Sequence, residues 1–240
     1  MTPTKYCVAH VSAAPETLEF LRGALTSPEL YLTTTPRGTA IVLPLEDENS
    51  NSTDAWNAAE AALRKLRGAL YAYSNLLAPI EVVPPVSSVD ERGNGESIGA
   101  VMGGRIRIIS KEGRARLLET TENGDHTVAS RIVRLASTTP EVARVLDLLH
   151  ESDPSWSDIY LICEIVEFWL RKSGKEKKKD WYAITAEGWL PASSINVLKR
   201  NANYHRHASP VSTPGREISL SEAQRHCRDI VRYWLEKLIG

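Results

Sequence analysis

Residues 199–208 (KRNANYHRHA) place three cations, two histidines and two asparagines within ten positions. An arginine holds a phosphate group through a rigid fork of N–H donors. A histidine has an ordinary pKa near neutrality, so it can both take up and release a proton. These two residue types are the minimum needed to cleave RNA without a metal ion. This segment is therefore the first candidate for a functional site.

A helix over residues 195–207 would sort these side chains onto separate faces, at about 100° per residue. The polar stripe of that helix would consist of Asn196, Arg200, Asn203 and His207. Ile195, Leu198 and Ala202 would face a hydrophobic core, with His205 at the edge of that face. Two interpretations stay open. The stripe is either an ordinary solvent-facing surface or a site where Arg200 binds phosphate and His207 moves a proton.

Composition limits the function classes. The chain has 240 residues, of which 42% are hydrophobic and 25% charged, as in a soluble globular protein. Its net charge of −1 argues against a protein coated in positive charge for bulk DNA binding. Cys7, Cys163 and Cys227 are far apart and form no CxxC pair, which disfavours a disulfide framework and a zinc site.

The location predicted from sequence is the cytoplasm. No apolar run approaches the ~20 residues that span a membrane. The first ten residues lack the cationic and apolar segments of a signal peptide.

The first half of the chain is predicted to be a mixed α/β or mainly β domain, covering residues 1–125. Predicted strands are 4–12, 30–32, 39–43, 80–83, 98–109 and 116–121, with a bend at Gly103-Gly104. Predicted helices are 15–24 and a longer one that Thr53 or Asp54 caps and that runs to about Leu77. Pro84-Pro85 is expected to end the fourth strand, and residues 87–97 are expected to form a loop.

The second half is predicted to be an all-α helical bundle over residues 138–240, so the fold class is α+β. Residues 139–151 form its first helix, and Asp153-Pro154 begins the second. Ser193 or Ser194 begins the helix that carries the candidate site. Ser219 and Glu222 have the spacing of a capping box at the start of the last helix.

The cluster resembles the R-x4-6-H motif of the HEPN superfamily. Arg200 is followed by the polar Asn201 and then by His205 and His207, after four and six intervening residues. The ending is also similar to that of a group of uncharacterised bacterial proteins with an "AN…RHA…P…L…EA" pattern. Here that pattern is Ala202-Asn203, Arg206-His207-Ala208, Pro210 or Pro214, Leu220 and Glu222-Ala223.

The HEPN resemblance implies a small helical bundle that acts as a metal-independent endoribonuclease, in bacterial anti-phage defence, toxin–antitoxin systems or stress response. It implies that two chains form a homodimer and that each offers one motif to a shared RNA-binding groove, with no cofactor and no metal. His207 would transfer protons, His205 would be the second histidine, and Arg200 would hold the phosphate. Asn203 would orient the scissile group, and Glu164 would hold Arg200 or a histidine. The N-terminal domain would be a sensor or would bind a partner protein.

Two further hypotheses stay open beside a ribonuclease. One is a non-catalytic, HEPN-like module for dimerisation or for binding RNA or a nucleotide. The other is a small-molecule enzyme that uses the α/β half. The chain has no P-loop, GxSxG, HExxH or Rossmann fingerprint, which disfavours the second of these.

Overall fold

The protein is α+β, with an antiparallel sheet followed along the chain by helices. The computed structural model describes residues 5–27, 30–35, 38–45, 47, 49–74, 80–90, 95–98, 128–150, 154–173, 181–207 and 215–240. Its strands are β1 (Lys5–Ser12), β2 (Thr26–Ser27), β3 (Leu30–Thr35), β4 (Gly38–Leu45), β5 (Glu81–Asp90) and β6 (Gly95–Ile98). Its helices are α1 (Pro15–Ala24), α2 (Ser52–Ser74), α3 (Val128–Thr138), α4 (Pro140–His150), α5 (Trp156–Ser173), α6 (Tyr182–Ala186), α7 (Ala192–Arg206) and α8 (Leu220–Ile239).

The strands form one antiparallel sheet in the order β2-β3-β4-β1-β5-β6. In the central strand β1, the alternating residues Cys7, Ala9 and Val11 are buried, because successive side chains of a strand point to opposite faces. Helix α2 lies over this buried face, where the Cys7 thiol donates a hydrogen bond to the Ala55 carbonyl at 3.1 Å. The predicted strands at 4–12, 30–32 and 39–43 are confirmed, and so is helix 15–24.

The prediction that Pro84-Pro85 breaks a strand was wrong, and the predicted loop at 87–97 was wrong at residues 87–90 and 95–97, whereas residues 91–94 lie outside the described part of the chain. Strand β5 continues through both prolines, and β6 pairs with it from Val86 onward. The register against β1 jumps from Val86 to Val83, so both prolines fall in a bulge between paired positions. Proline has no N–H to donate to the ladder, and a bulge is where a strand tolerates it.

Three helix starts differ from their predictions, and one of them is that of α7, which begins at Ala192 and not at Ser193 or Ser194. The Asn51 side chain, not Thr53 or Asp54, caps α2, since its Oδ1 accepts hydrogen bonds from the Thr53 and Asp54 amides at 2.8 and 3.1 Å. Helix α5 begins after Ser155 and not at Asp153-Pro154. Ser155 and Asp158 form a reciprocal capping box there, with N···O distances of 2.9 and 3.3 Å. The predicted capping box at α8 is confirmed, with Ser219 Oγ accepting from the Glu222 amide at 3.1 Å.

Helices α2 and α4 pack closely because Gly68 has no side chain. A Cβ at Gly68 would lie 2.8 Å from the Leu146 Cα. Helix α2 also contacts α8, where Arg228 Nη1 donates to the Tyr71 hydroxyl at 3.1 Å. Buried residues of the sheet, of α2 and of the later helices belong to one continuous hydrophobic core. The described parts of the predicted domains 1–125 and 138–240 therefore share a core.

The helical part of the chain begins earlier than predicted, because α3 starts at Val128 and not near Thr138. The predicted strands 98–109 and 116–121 lie, apart from Ile98, outside the described residues, as do the Gly103-Gly104 bend, the predicted α2 end near Leu77 and residues Ala208, Pro210 and Pro214. None of the helices in the described part of the chain combines the length and the apolar character needed to cross a membrane.

Candidate functional site

Helix α7 carries the candidate site on the side that turns away from the core. Ile195, Leu198 and Ala202 are buried, as their helical spacing predicts, and they seat the helix on the core. Arg200 lies on the exposed side of the helix. Within the described residues, Arg200 makes no hydrogen bond or ion pair. Its guanidinium is therefore available to a ligand.

The predicted polar stripe ends before its last member. Helix α7 ends at Arg206, and His207 follows with φ −97° and ψ 130°, which is extended backbone. His207 therefore does not share a helical face with Arg200 and Asn203. It is exposed at the point where the chain leaves the helix. Both His205 and His207 are exposed, although His205 was predicted at the edge of the buried face.

The C-terminal end of α7 lies against the N-terminal end of α5. The ring of His205 stacks on Trp156, with centroids 4.5 Å apart and planes at 18°. One turn further along α5, the Arg206 guanidinium carbon lies 3.6 Å from the centre of the Tyr160 ring. We call Trp156, Tyr160, His205 and Arg206 the aromatic–cation cluster. Its contacts fix the candidate residue His205 and its neighbour Arg206 against the body of the protein.

Asn203 and Arg206 are joined within α7. Arg206 Nε donates a hydrogen bond to Asn203 Oδ1 at 3.2 Å. A guanidinium that is stacked on Tyr160 and bonded through Nε has few orientations left. Its remaining N–H donors are therefore held in a defined plane, which favours binding of a phosphate or carboxylate.

Glu164 contacts neither Arg200 nor a histidine within the described residues. Its carboxylate accepts a hydrogen bond from Trp181 Nε1 at 2.6 Å. The Trp181 side chain is fully buried, and its backbone is left-handed, with φ 50°. The Lys199 ammonium lies 6.0 Å from the centre of the Trp181 ring. Glu164 thus holds the indole that packs beneath the site.

Glu167 supports the same region from inside the core. It is 1% exposed, and its carboxylate accepts hydrogen bonds from the backbone amides of Ala183 and Ile184 at 3.1 and 2.9 Å. Arg171 Nε donates a third hydrogen bond to it at 2.8 Å. A buried carboxylate with three donors is well satisfied, and here it caps the first turn of α6.

Asn201 is a structural residue despite its place beside Arg200 in the motif. It is 0% exposed, and Nδ2 donates to the carbonyls of Val197 and Arg216 at 2.9 and 2.8 Å. Its Oδ1 accepts from the Ile218 amide at 3.2 Å. Asn201 therefore ties the segment that precedes α8 to the middle of α7.

Sequence reasoning missed Trp156, Tyr160 and Arg206 as members of the site. The sequence does contain a relevant pattern, since Trp156 and Tyr160 are four residues apart and therefore share one face of a helix. What the sequence does not show is that this face meets the end of α7. No group of three or more His, Cys, Asp or Glu side chains in the described ranges has the arrangement to hold a metal ion.

The cysteine of α5 faces the core and not the site. A hydrogen bond with Cys227 and complete burial raise the pKa of the Cys163 thiol well above its usual value. A thiol that stays protonated is a poor nucleophile. The reactive groups at this end of the helices are therefore guanidinium and imidazole.

Comparison with protein-family models, with curated proteins and with solved structures finds no match for the chain.

Proposed function

We propose that the chain is a metal-independent endoribonuclease of the HEPN type, with its site at the C-terminal end of α7. The observation that carries this proposal is the exposure of Arg200, His205 and His207, all in or next to the last two turns of one helix. A guanidinium and two imidazoles in so short a segment can contact one phosphodiester and its neighbouring hydroxyl groups.

The proposed reaction uses the 2′-hydroxyl of the RNA as the nucleophile. That oxygen forms a bond to the adjacent phosphorus while the bond from phosphorus to the 5′-oxygen breaks. One histidine takes the proton from the 2′-hydroxyl, and another gives a proton to the departing 5′-oxygen. The products carry a 2′,3′-cyclic phosphate and a 5′-hydroxyl group. His207 has the main proton-transfer role, and His205 is the second histidine.

Arg200 binds the phosphate and stabilises the charge that develops on it. Asn203 acts through Arg206, because its hydrogen bond fixes the plane of that guanidinium beside the phosphate. Glu164 supports the site through Trp181. These last two roles replace the direct contacts that the motif alone implied.

The wider setting follows the family resemblance. The active form is a homodimer in which each chain contributes one motif to a helical-bundle interface. The protein acts in the cytoplasm, in bacterial anti-phage defence or stress response. The antiparallel sheet senses a trigger or binds a partner protein, and its signal reaches the site through the core that it shares with the helices.

The test is cleavage of end-labelled RNA in EDTA. We expect wild-type protein to cut the RNA and to leave 2′,3′-cyclic phosphate ends. Arg200→Ala and His207→Ala should each lose roughly 10²-fold or more of the rate. Arg144→Ala is the matched control, because this exposed arginine lies on α4 and not at the site. RNA with 2′-O-methyl groups should stay intact. Absence of cleavage, or full rates in both site variants, would contradict the proposal.

A second candidate is a non-catalytic module that binds RNA or a nucleotide. It is favoured by the internal contacts of three polar residues, since Asn203 and Arg206 bond each other and Glu164 bonds Trp181. Groups that already have partners inside the protein suit a rigid binding surface. This candidate predicts a stable dimer that binds RNA and leaves it uncut in the same assay.

A further inference from the structure

We propose that the stacked rings of Trp156 and His205 form a platform for an unpaired nucleobase, so that the site takes single-stranded RNA. This inference rests on the nucleic-acid ligand of the proposed function. It does not depend on whether the RNA is cut.

The stack lies at the protein surface and is rigid. The rings of Trp156 and His205 are nearly parallel, at 18°, and His205 remains exposed while it stacks. Trp156 is half-buried and packs against the hydrophobic core, which fixes its position. The T-shaped contact between Tyr204 and His205, with centroids 5.1 Å apart, restrains the imidazole further. An immobile aromatic surface binds another ring with little loss of side-chain entropy.

A phosphate-binding group lies next to this platform. Arg206 follows His205 in the chain and lies over the ring of Tyr160, which is one helical turn (~5.4 Å) from Trp156 along α5. Only Nε of Arg206 is bonded within the described residues, to Asn203. The terminal N–H groups of the guanidinium are thus free for a phosphate. The cluster therefore offers one nucleotide a surface for its base and a cation for its phosphate.

This combination selects single strands. In a duplex, each base is covered on both faces by its neighbours and cannot stack on a protein ring. An unpaired base can, and each such stack contributes about 1–3 kcal/mol of binding free energy. The competing explanation is that the stack only pins the end of α7 to α5, in which case ligand affinity would not depend on bases.

The test compares two uncleavable ligands of equal charge. One is a fluorescent decamer of 2′-O-methyl adenosine, and the other is an abasic decamer with the same number of phosphates. Affinities are measured by fluorescence anisotropy for wild type, His205→Ala and His205→Phe. Position 205 is exposed, so both variants are expected to fold. Phe168→Ala is the matched control, because Phe168 is an aromatic residue of α5 that is 54% exposed and lies outside the cluster.

We expect wild type to bind the adenosine decamer about 5- to 100-fold more tightly than the abasic one. His205→Ala should remove this difference, so that the variant binds the two decamers with equal affinity. His205→Phe should keep the difference, because phenylalanine still presents a ring. A complementary strand added to the adenosine decamer should weaken its binding to wild type. The control should behave as wild type.

Equal affinities of wild type for the two decamers would overturn the inference, as would an equal loss for both in His205→Ala. If RNA is nevertheless cut in EDTA, the proposed ribonuclease stands and only the platform fails. Conversely, a preference for bases without any cleavage supports the platform and contradicts the ribonuclease. If neither decamer binds, the platform is excluded.

Discussion

The carboxylate of Glu164 and the indole nitrogen of Trp181 are 2.6 Å apart, and the Trp181 side chain is fully buried. We expect Glu164→Ala to lower the free energy of unfolding by about 1–3 kcal/mol, because it leaves the indole N–H without its acceptor. Glu164→Gln should cost less than about 1 kcal/mol, since an amide oxygen still accepts the bond. Urea unfolding measures both values. Equal losses in the two variants would show that the negative charge, and not the acceptor, stabilises this contact.

The buried side chain of Asn201 forms hydrogen bonds with three backbone groups, so its removal should destabilise the protein. Asn201→Ala should cost about 2–4 kcal/mol of stability, since the Ile218 amide loses its acceptor and the Arg216 carbonyl loses its donor in a buried region. Asn201→Asp should cost more, because it places a charge there and removes both donors. Asn196→Ala is the control on the exposed side of α7 and should change stability by under about 0.5 kcal/mol. A similar loss at Asn196 would contradict this assignment.

Gly68 offers a test in which two effects have opposite signs. Helix propensity alone would make Gly68→Ala stabilising by about 1 kcal/mol. The contact with the Leu146 backbone makes it destabilising, by about 1–3 kcal/mol or more, because two helices must move apart. Thermal and urea unfolding give the sign directly. Ala61→Gly, in the same helix, should lose about 1 kcal/mol and shows that α2 responds to propensity. A stabilised Gly68→Ala protein would refute the close packing of α2 on α4.

His226 makes stability depend on pH. Burial, with a contribution from Arg225, lowers the pKa of His226 below its ordinary value of 6.5, against the opposite effects of Glu222 and Asp229. The unfolded chain therefore binds this proton more tightly than the folded protein. The contribution of His226 to stability is complete above the pKa that this residue has in the unfolded chain. It is lost as the pH falls towards the lower pKa of His226 in the folded protein.

The comparison is between wild type and His226→Gln in urea at about pH 7.5 and about pH 5.5. Wild type should lose more stability on acidification than the variant does. Equal losses would show that another group controls the acid side of the profile.

Elements with strong local signals were predictable from sequence. Pro15 at the start of α1, the strand-like composition of β1 and the Ser219 cap of α8 are all local features of the chain. The course of β5 was not. Whether Pro84-Pro85 ends a strand or sits in a bulge depends on the register of β1, which lies far away in sequence.

The candidate site likewise has features that local sequence patterns predict and features that depend on contacts between distant segments. The core face of α7 follows from its 3.6-residue period, so Leu198 and Ala202 were placed correctly. The stacking of His205 on Trp156 depends on how α5 and α7 cross, which no local pattern encodes. The burial of Asn201 and Glu167 could not be predicted from sequence for the same reason, since their hydrogen-bond partners come from other segments of the chain.

The hydrogen bond between Tyr71 and Arg228 joins residues that are 157 positions apart. During translation, α2 therefore emerges from the ribosome long before α8, which packs against the Tyr71 side of α2, has been synthesised. During that interval the nascent chain carries apolar surface that other proteins can reach. We expect ribosome-bound chains stalled before Leu220 to be cut by protease within α2, whereas the finished protein resists. The timing of translation, and not only the stability of the product, would then decide how much of this protein a cell obtains.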